Sequence, residues 1–240
     1  MQTPNTLSMN NRHVLLTGGA GGLGMGVTPA VLRQGAASVT IPYRQHYEVE
    51  RLKGILSPAA RSRVHFVELD LTDEAGIATL VDGMERVDVL IHLVGGFSMQ
   101  PVHELSLDDW QQSFTINLTT TFLTCKHCLR RMRQQGYGRI VTISSRGAVQ
   151  PGAQQAAYSA AKAGVVALTQ AIAQETKGMD ITANVVLPGT IDTPANREAM
   201  GSANADQWVK PESLAETICF LASEAARDLR GAAVPVYGNG

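Results

Sequence analysis

Apolar residues recur along this chain in short unbroken runs of Val, Ile and Leu, and between the runs they fall at three- and four-residue spacing. An unbroken run suits a strand buried on both faces of a parallel sheet, and the wider spacing suits helices that cover it. The runs predict strands near 13–17, 38–42, 64–68, 87–93, 139–144, 181–187 and 232–237. The spaced segments predict helices near 23–34, 46–56, 73–84, 106–134, 156–177 and 211–223. Pro211 suits a first helical position, whereas Pro29, inside the first predicted helix, is expected to kink it. Together these elements predict an α/β fold, a doubly wound seven-stranded parallel sheet with helices on both faces. Ligands of such sheets bind beyond the carboxyl ends of the strands, where strand order reverses, so chemistry is sought in the segments that follow the strands.

Charge removes some partners from that picture. Lys and Arg total 20 against 21 Asp and Glu, for a formal net charge of -1, and no basic run occurs. A phosphate backbone or an anionic membrane would meet no electrostatic footprint, so neither nucleic acid nor membrane is expected as a partner. No charged segment followed by an apolar stretch stands at the N-terminus, and no later segment approaches eighteen unbroken apolar residues, so a cytoplasmic protein is expected. Cys125, Cys128 and Cys219 are an odd number, which fits a reducing compartment. Cys125 and Cys128 form a C-x-x-C around His127, but Cys125 falls on the apolar stripe of a helical segment and no second ligand pair exists, so they read as packing residues and no metal is expected.

The first predicted strand runs into Thr17-Gly18-Gly19-Ala20-Gly21-Gly22-Leu23-Gly24 and then a helix. Glycines let the backbone approach a pyrophosphate, and the following helix N-terminus favours its charge. No Lys-Ser/Thr follows, which disfavours an ATPase phosphate loop. In a Rossmann site an acid about 20 residues further on binds the ribose of NAD, and an arginine accommodates the extra phosphate of NADP. Here Pro42-Tyr43-Arg44-Gln45 offers an arginine and no carboxylate, so NADP(H) is favoured over NAD(H), the alternative being that Arg44 is a solvated surface charge.

Thirteen residues after Ser145, which follows the fifth predicted strand, comes Tyr158-Ser-Ala-Ala-Lys162. On a helix, positions i and i+4 share a face, so both side chains reach one ligand. A free phenol titrates near ~10, so acid/base work at neutral pH calls for a shift of about 3 units toward the phenolate. A neighbouring cation supplies the sign, and a serine hydroxyl can bond the substrate oxygen as charge develops on it.

With these motifs the chain resembles the short-chain dehydrogenase/reductase family, in its Tyr-x-x-x-Lys branch and similar to 3-oxoacyl-carrier-protein reductase-like members. The match spans nearly the whole length: Thr17 to Gly24, with Gly18, Gly22, Leu23 and Gly24 as cofactor contacts; Asp70 with Leu71, toward adenine; Asn117; Ser145; Tyr158 with Lys162; and Pro188-Gly189. The resemblance implies an NAD(P)-dependent oxidoreductase that moves a hydride between nicotinamide and a carbonyl or alcohol. In it Tyr158 exchanges the proton, Ser145 polarises the oxygen, Lys162 binds the ribose and lowers the Tyr pKa, and Asn117 holds a water of the proton relay. It also implies that Ile191 and Thr193 meet the carboxamide. One domain over 1–240 is expected, with 1–11 a flexible N-terminus and 190–208 a mobile substrate lid on which Met200 and Trp208, with Met99, form apolar walls. Assembly as a homo-oligomer, tetramer or dimer, through 106–134, 156–177 and the C-terminal segment is implied too. A non-catalytic dinucleotide-binding sensor on the same fold is the alternative. The family's Asn-Asn-Ala-Gly reads His92-Leu93-Val94-Gly95 here, so Gly95 carries over, and His92 is read as a satisfied core histidine with no role, the alternative being that a ring nitrogen keeps one of the lost hydrogen bonds.

Overall fold

A computed structural model describes residues 7–239. Seven strands form one parallel sheet: β1 (His13–Thr17), β2 (Ser38–Tyr43), β3 (Val64–Glu68), β4 (Val89–His92), β5 (Tyr137–Ile143), β6 (Asp180–Pro188) and β7 (Ala233–Val236). Their order is β3-β2-β1-β4-β5-β6-β7, so the chain reverses direction across the sheet between β1 and β4. Side chains alternate between the faces as a strand's two-residue period demands. Leu16, Ile91 and Val141 join the core beneath α1 (Gly24–Arg33) and α9 (Pro211–Leu221), while Leu15, Leu90 and Ile140 join the core beneath α4 (Glu74–Gly83), α6 (Thr120–Gln135) and α7 (Ala156–Glu175). The predicted doubly wound sheet is therefore present, with strand ends displaced by at most two residues.

Departures from the sequence reading are local. The helix expected over 106–134 is three pieces: α5 (Leu107–Phe114), a π-helical turn at Thr115–Thr119, and α6. A π turn carries one extra residue, and this one turns Asn117 into the interior, where it is fully buried. The hydroxyls of Thr120, Thr121 and Thr124 donate to the carbonyls four residues back, which satisfies carbonyls along the irregular turn. Helix α1 runs through Pro29, the position where a kink is expected. The short helices α3 (Pro58–Arg61) and α8 (Pro194–Met200) were not expected, whereas α2 (His46–Ile55) was. Of the terminus read as flexible, 1–6 lie outside the described residues, but Met9 is fully buried in the core and its N–H donates to Gln34 O at 2.7 Å. Cys125 and Cys128 are buried in the core as free thiols, and burial pushes the Cys125 thiol up to about 12. Among the described residues no helix is long and apolar enough to cross a membrane.

Candidate active site

A cleft of about 840 Å³ opens where strand order reverses. Its floor begins with the glycine loop. Gly18 has φ +70, which glycine adopts without strain, and its carbonyl accepts from Gly21 N at 3.0 Å. A Cβ on Gly24 would lie 2.3 Å from Gly18 O, so the loop folds this tightly only without one. Helix α1 starts at Gly24 with no side-chain cap and no acid in its first turn, and Gly18, Gly21, Gly22 and Leu23 face the cleft. Open N–H groups and the positive helix end fit a dinucleotide pyrophosphate.

At the far end of this loop the structure gathers Arg44 and Asp70, an ion pair at 3.5 Å with both partners well exposed. Hydrogen bonds from Thr72, assisted by Arg44, hold the Asp70 carboxyl below its ordinary value. Leu71, expected beside it, is buried in the core under α4. Two neighbours went unnoticed in the sequence. Glu48 lines the cleft, and Arg51 reaches across from α2 to donate to Ala20 O at 3.2 Å. Their roles depend on approach between distant segments, which local sequence does not encode.

The catalytic candidates meet at the other end. Tyr158 and Lys162 lie one turn apart on α7, with the Lys162 nitrogen 6.0 Å from the Tyr158 ring centre. Ser145 ends the loop after β5, accepts from Gly147 N at 3.0 Å and hydrogen-bonds the Tyr158 phenol. Burial raises the Tyr158 pKa, and the bond from Ser145 opposes that rise. The lowering expected from Lys162 is not found: desolvation leads, and the hydrogen bond with Ser145 is what opposes it. Lys162 is itself buried, and burial brings its ammonium down to about 8. It donates to Ile143 O at 3.1 Å, and Ser144, another residue not singled out in the sequence, fixes its backbone by donating to Lys162 O at 2.7 Å.

Asn117 is tied into the loop around it. Its amide is committed to main chain, donating to Gly96 O and Ser113 O at 3.0 Å and accepting from Gly96 N at 3.1 Å. It clasps the segment that leaves β4. A Cβ on Gly95 would fall 2.8 Å from both Asn117 Oδ1 and the Lys162 nitrogen, closer than real contacts allow. Gly95→Ala is therefore expected to lower kcat/KM by about 100-fold while leaving a folded protein, checked by steady-state kinetics beside a circular dichroism melt.

His92 is fully buried, and burial followed by the Lys162 charge lowers its pKa to about 3, so it stays neutral. Its Nδ1 pairs with the Thr17 hydroxyl at 2.9 Å, which ties β4 to the start of the glycine loop, while Nε2 has no partner among the described residues. The reading as a satisfied histidine holds for one ring nitrogen only.

Beyond β6, Pro188, Ile191 and Thr193 line the cleft, and the Thr193 methyl stands where it would touch a Cβ on Gly22. Thr193 caps α8 by accepting from Asn196 N. Asp192 is held well below the carboxylate range by hydrogen bonds from Arg197 and then Lys210, which anchors the base of the 190–208 segment. Ile191 bridges to Val209 at its other end. Of the apolar walls expected, Met200 lines the cleft; Phe97, passed over in the sequence, does so in place of Met99 and Trp208.

A family model described as short chain dehydrogenase matches residues 12–203. The chain belongs to the short chain dehydrogenase family. It is thus an oxidoreductase of a family that uses nicotinamide cofactors. It is similar to the cis-4-hydroxycyclohexanecarboxylate dehydrogenase of Sinomonas cyclohexanicum, at 34% identity covering 95% of this chain and 96% of the relative. It is also similar to the D-threitol dehydrogenase of Mycolicibacterium smegmatis, at 29% identity covering 96% and 93%. Among solved structures, levodione reductase matches with a TM-score of 0.88 and 27% identity, over 97% of this chain and 98% of that one.

Proposed function

We propose that this short-chain dehydrogenase interconverts a carbonyl compound and its alcohol with NADP(H), using Tyr158 as the acid/base. The observation that carries the reading is the convergence of Tyr158, Lys162 and Ser145 on the same cleft as the glycine loop. Bound there, the nicotinamide supplies the hydride in reduction and accepts it in oxidation.

The protein's own part follows from the state of each group. Burial keeps the Tyr158 phenol protonated at neutral pH, the form able to give a proton to a carbonyl oxygen as the carbon is reduced. Ser145, bonded to that phenol, holds the substrate oxygen within its reach and stabilises the charge that develops there. Lys162 is fixed by Ile143 O and Ser144 beside Gly95, where its charge favours the phenolate left behind. Asn117 keeps Gly95 and Gly96 from closing over that space. Gly18, Gly22, Leu23 and Gly24 would hold the pyrophosphate, Asp70 the adenosine end, and Pro188, Ile191 and Thr193 the nicotinamide end.

NADP(H) is preferred in this reading because Arg44, the residue after β2, stays well exposed in its ion pair with Asp70, no acid stands within Pro42-Tyr43-Arg44-Gln45, and Arg51 brings a second guanidinium to the loop. Arg44→Ala is expected to lower kcat/KM with NADPH by about tenfold and leave NADH nearly unchanged, as expected for loss of one charge-assisted phosphate contact. Equal values for the two cofactors in the unmodified enzyme would refute the preference. The relatives' names support a secondary alcohol or its ketone as substrate, one a ring compound and one an open-chain polyol. A spectrophotometric panel of ketones, quinones and oxoacyl thioesters against NADPH and NADH tests the reaction type. Cofactor binding without consumption across the whole panel would replace it with a binding-only role.

A further inference from the structure

The cleft wall holds a feature that acid/base chemistry does not use. After β4 the chain reads Gly95-Gly96-Phe97, and Asn117 grips Gly96 by both its N–H and its carbonyl. The segment is thereby fixed one residue before Phe97. The Phe97 ring packs edge-on against Tyr158, with centres 4.9 Å apart and planes at 85°, so the two rings make a corner. Phe97 is nonetheless 55% exposed, and Met200, at the end of α8, is 58% exposed; both line the cleft. Ala195 and Ala199, on the same helix as Met200, also face it and take little room.

Two large apolar side chains left open beside a reacting group expose area that a ligand covers favourably, and an aromatic face is best covered by a flat or ring-shaped body. Charge points the same way. Arg197 and Lys210 are tied to Asp192, Lys162 is buried, and the guanidinium of Arg146 lies over the Tyr237 ring at 5.7 Å. Size adds a limit, because a cleft of about 840 Å³ must also take a dinucleotide, which favours a compact substrate over a long one.

We propose that Phe97 and Met200 form the walls of a slot for a compact, uncharged ring ketone or the matching ring alcohol, with Phe97 as the residue that sets this specificity. The proposal rests on the carbonyl-reducing reading above. In the slot the ring lies against the Phe97 face, and its carbonyl oxygen points into the corner toward Tyr158 and Ser145.

The test measures kcat and KM with NADPH for cyclohexanone and tetralone, an open-chain ketone of the same carbon count as cyclohexanone, acetoacetate and a ketose, in the unmodified enzyme, Phe97→Ala and Phe97→Tyr. The ring ketones are expected to exceed the open-chain ketone by about tenfold or more in kcat/KM, the scale a hydrophobic pocket can discriminate. Phe97→Ala is expected to lower kcat/KM for ring ketones by about 10-fold to 50-fold, chiefly through KM, and for the open-chain ketone by less than about threefold. Phe97→Tyr should retain the ring preference. An equal loss for every ketone would make Phe97 only a shield for Tyr158 and overturn the proposal, as would a preference for acetoacetate or the ketose. Calorimetric titration of cyclohexanol into the NADPH-loaded protein, a pair that cannot exchange a hydride, reads the slot without turnover. If no carbonyl is reduced, the reaction assignment fails; cyclohexanol binding that weakens about tenfold in Phe97→Ala would still support the slot, and no binding would refute it.

Discussion

Replacing Tyr158 by Phe is expected to lower kcat by about 1,000-fold, within the range that a positioned acid/base contributes, while NADPH still binds. The substitution removes one hydroxyl and keeps the ring, so the edge-on packing with Phe97 survives and the cleft keeps its shape. The hydroxyl hydrogen-bonds Ser145, so the variant also frees that serine, and some of the loss reflects a less well-placed substrate oxygen. Stopped-flow turnover with cofactor affinity measured in parallel separates lost chemistry from lost cofactor binding: kcat falls steeply while the NADPH dissociation constant moves by less than about threefold. A variant with more than a tenth of the original turnover would remove Tyr158 from the chemistry.

Lys162→Met is expected to abolish measurable turnover and yet to raise thermal stability. Burial lowers the Lys162 pKa from 10.5 to about 8, so the folded protein bears a desolvation cost for holding the ammonium. The sign follows from proton counting. Between about 8 and 10.5 the folded chain binds fewer protons at this site than the unfolded chain, so stability rises with pH across that window; below it the cost stands in full. An apolar side chain of similar volume removes the cost and forfeits the hydrogen bond to Ile143 O, for a net gain of about 1–3 kcal/mol. For a chain of this length that is a rise of about 2–10 °C in melting temperature at neutral pH. The difference between the two proteins should shrink as pH rises past about 8. A variant that melts lower than the parent would show that the ammonium is net stabilising, and the siting of Lys162 for function at the expense of stability would be wrong.

Much of the fold was legible because a parallel sheet writes itself plainly. Strands such as Val89–His92 and Asp180–Pro188 are buried at nearly every residue, so their apolar runs stand out from the spaced positions of α1, α7 and α9. The π turn at Thr115–Thr119 was hidden because one inserted residue barely disturbs a helical pattern. Helices α3 and α8 are too short to show a period, and a single methionine among polar residues gives no sign that Met9 is core. The candidate catalytic residues were readable for a different reason: Tyr158 and Lys162 sit on one helix, so their spacing alone brings them together. Phe97 and Arg51 were not readable, since each acquires its place from a distant partner, Tyr158 in one case and the glycine loop in the other. Asn117 shows the limit of a motif. Its position was foreseen, but its amide serves the Gly96 backbone, a use that only the folded loop reveals.

The central claim is direct hydride delivery to a carbonyl carbon with Tyr158 supplying the proton, and isotope transfer tests it most directly. NADPH carrying deuterium at the transferable ring position is incubated with a ketone, and the alcohol is analysed by mass spectrometry. The account predicts one deuterium on the carbinol carbon with the unmodified enzyme and almost no product with Tyr158→Phe in the same interval. Alcohol formed without deuterium at that carbon, or labelled alcohol formed equally fast by Tyr158→Phe, would contradict it.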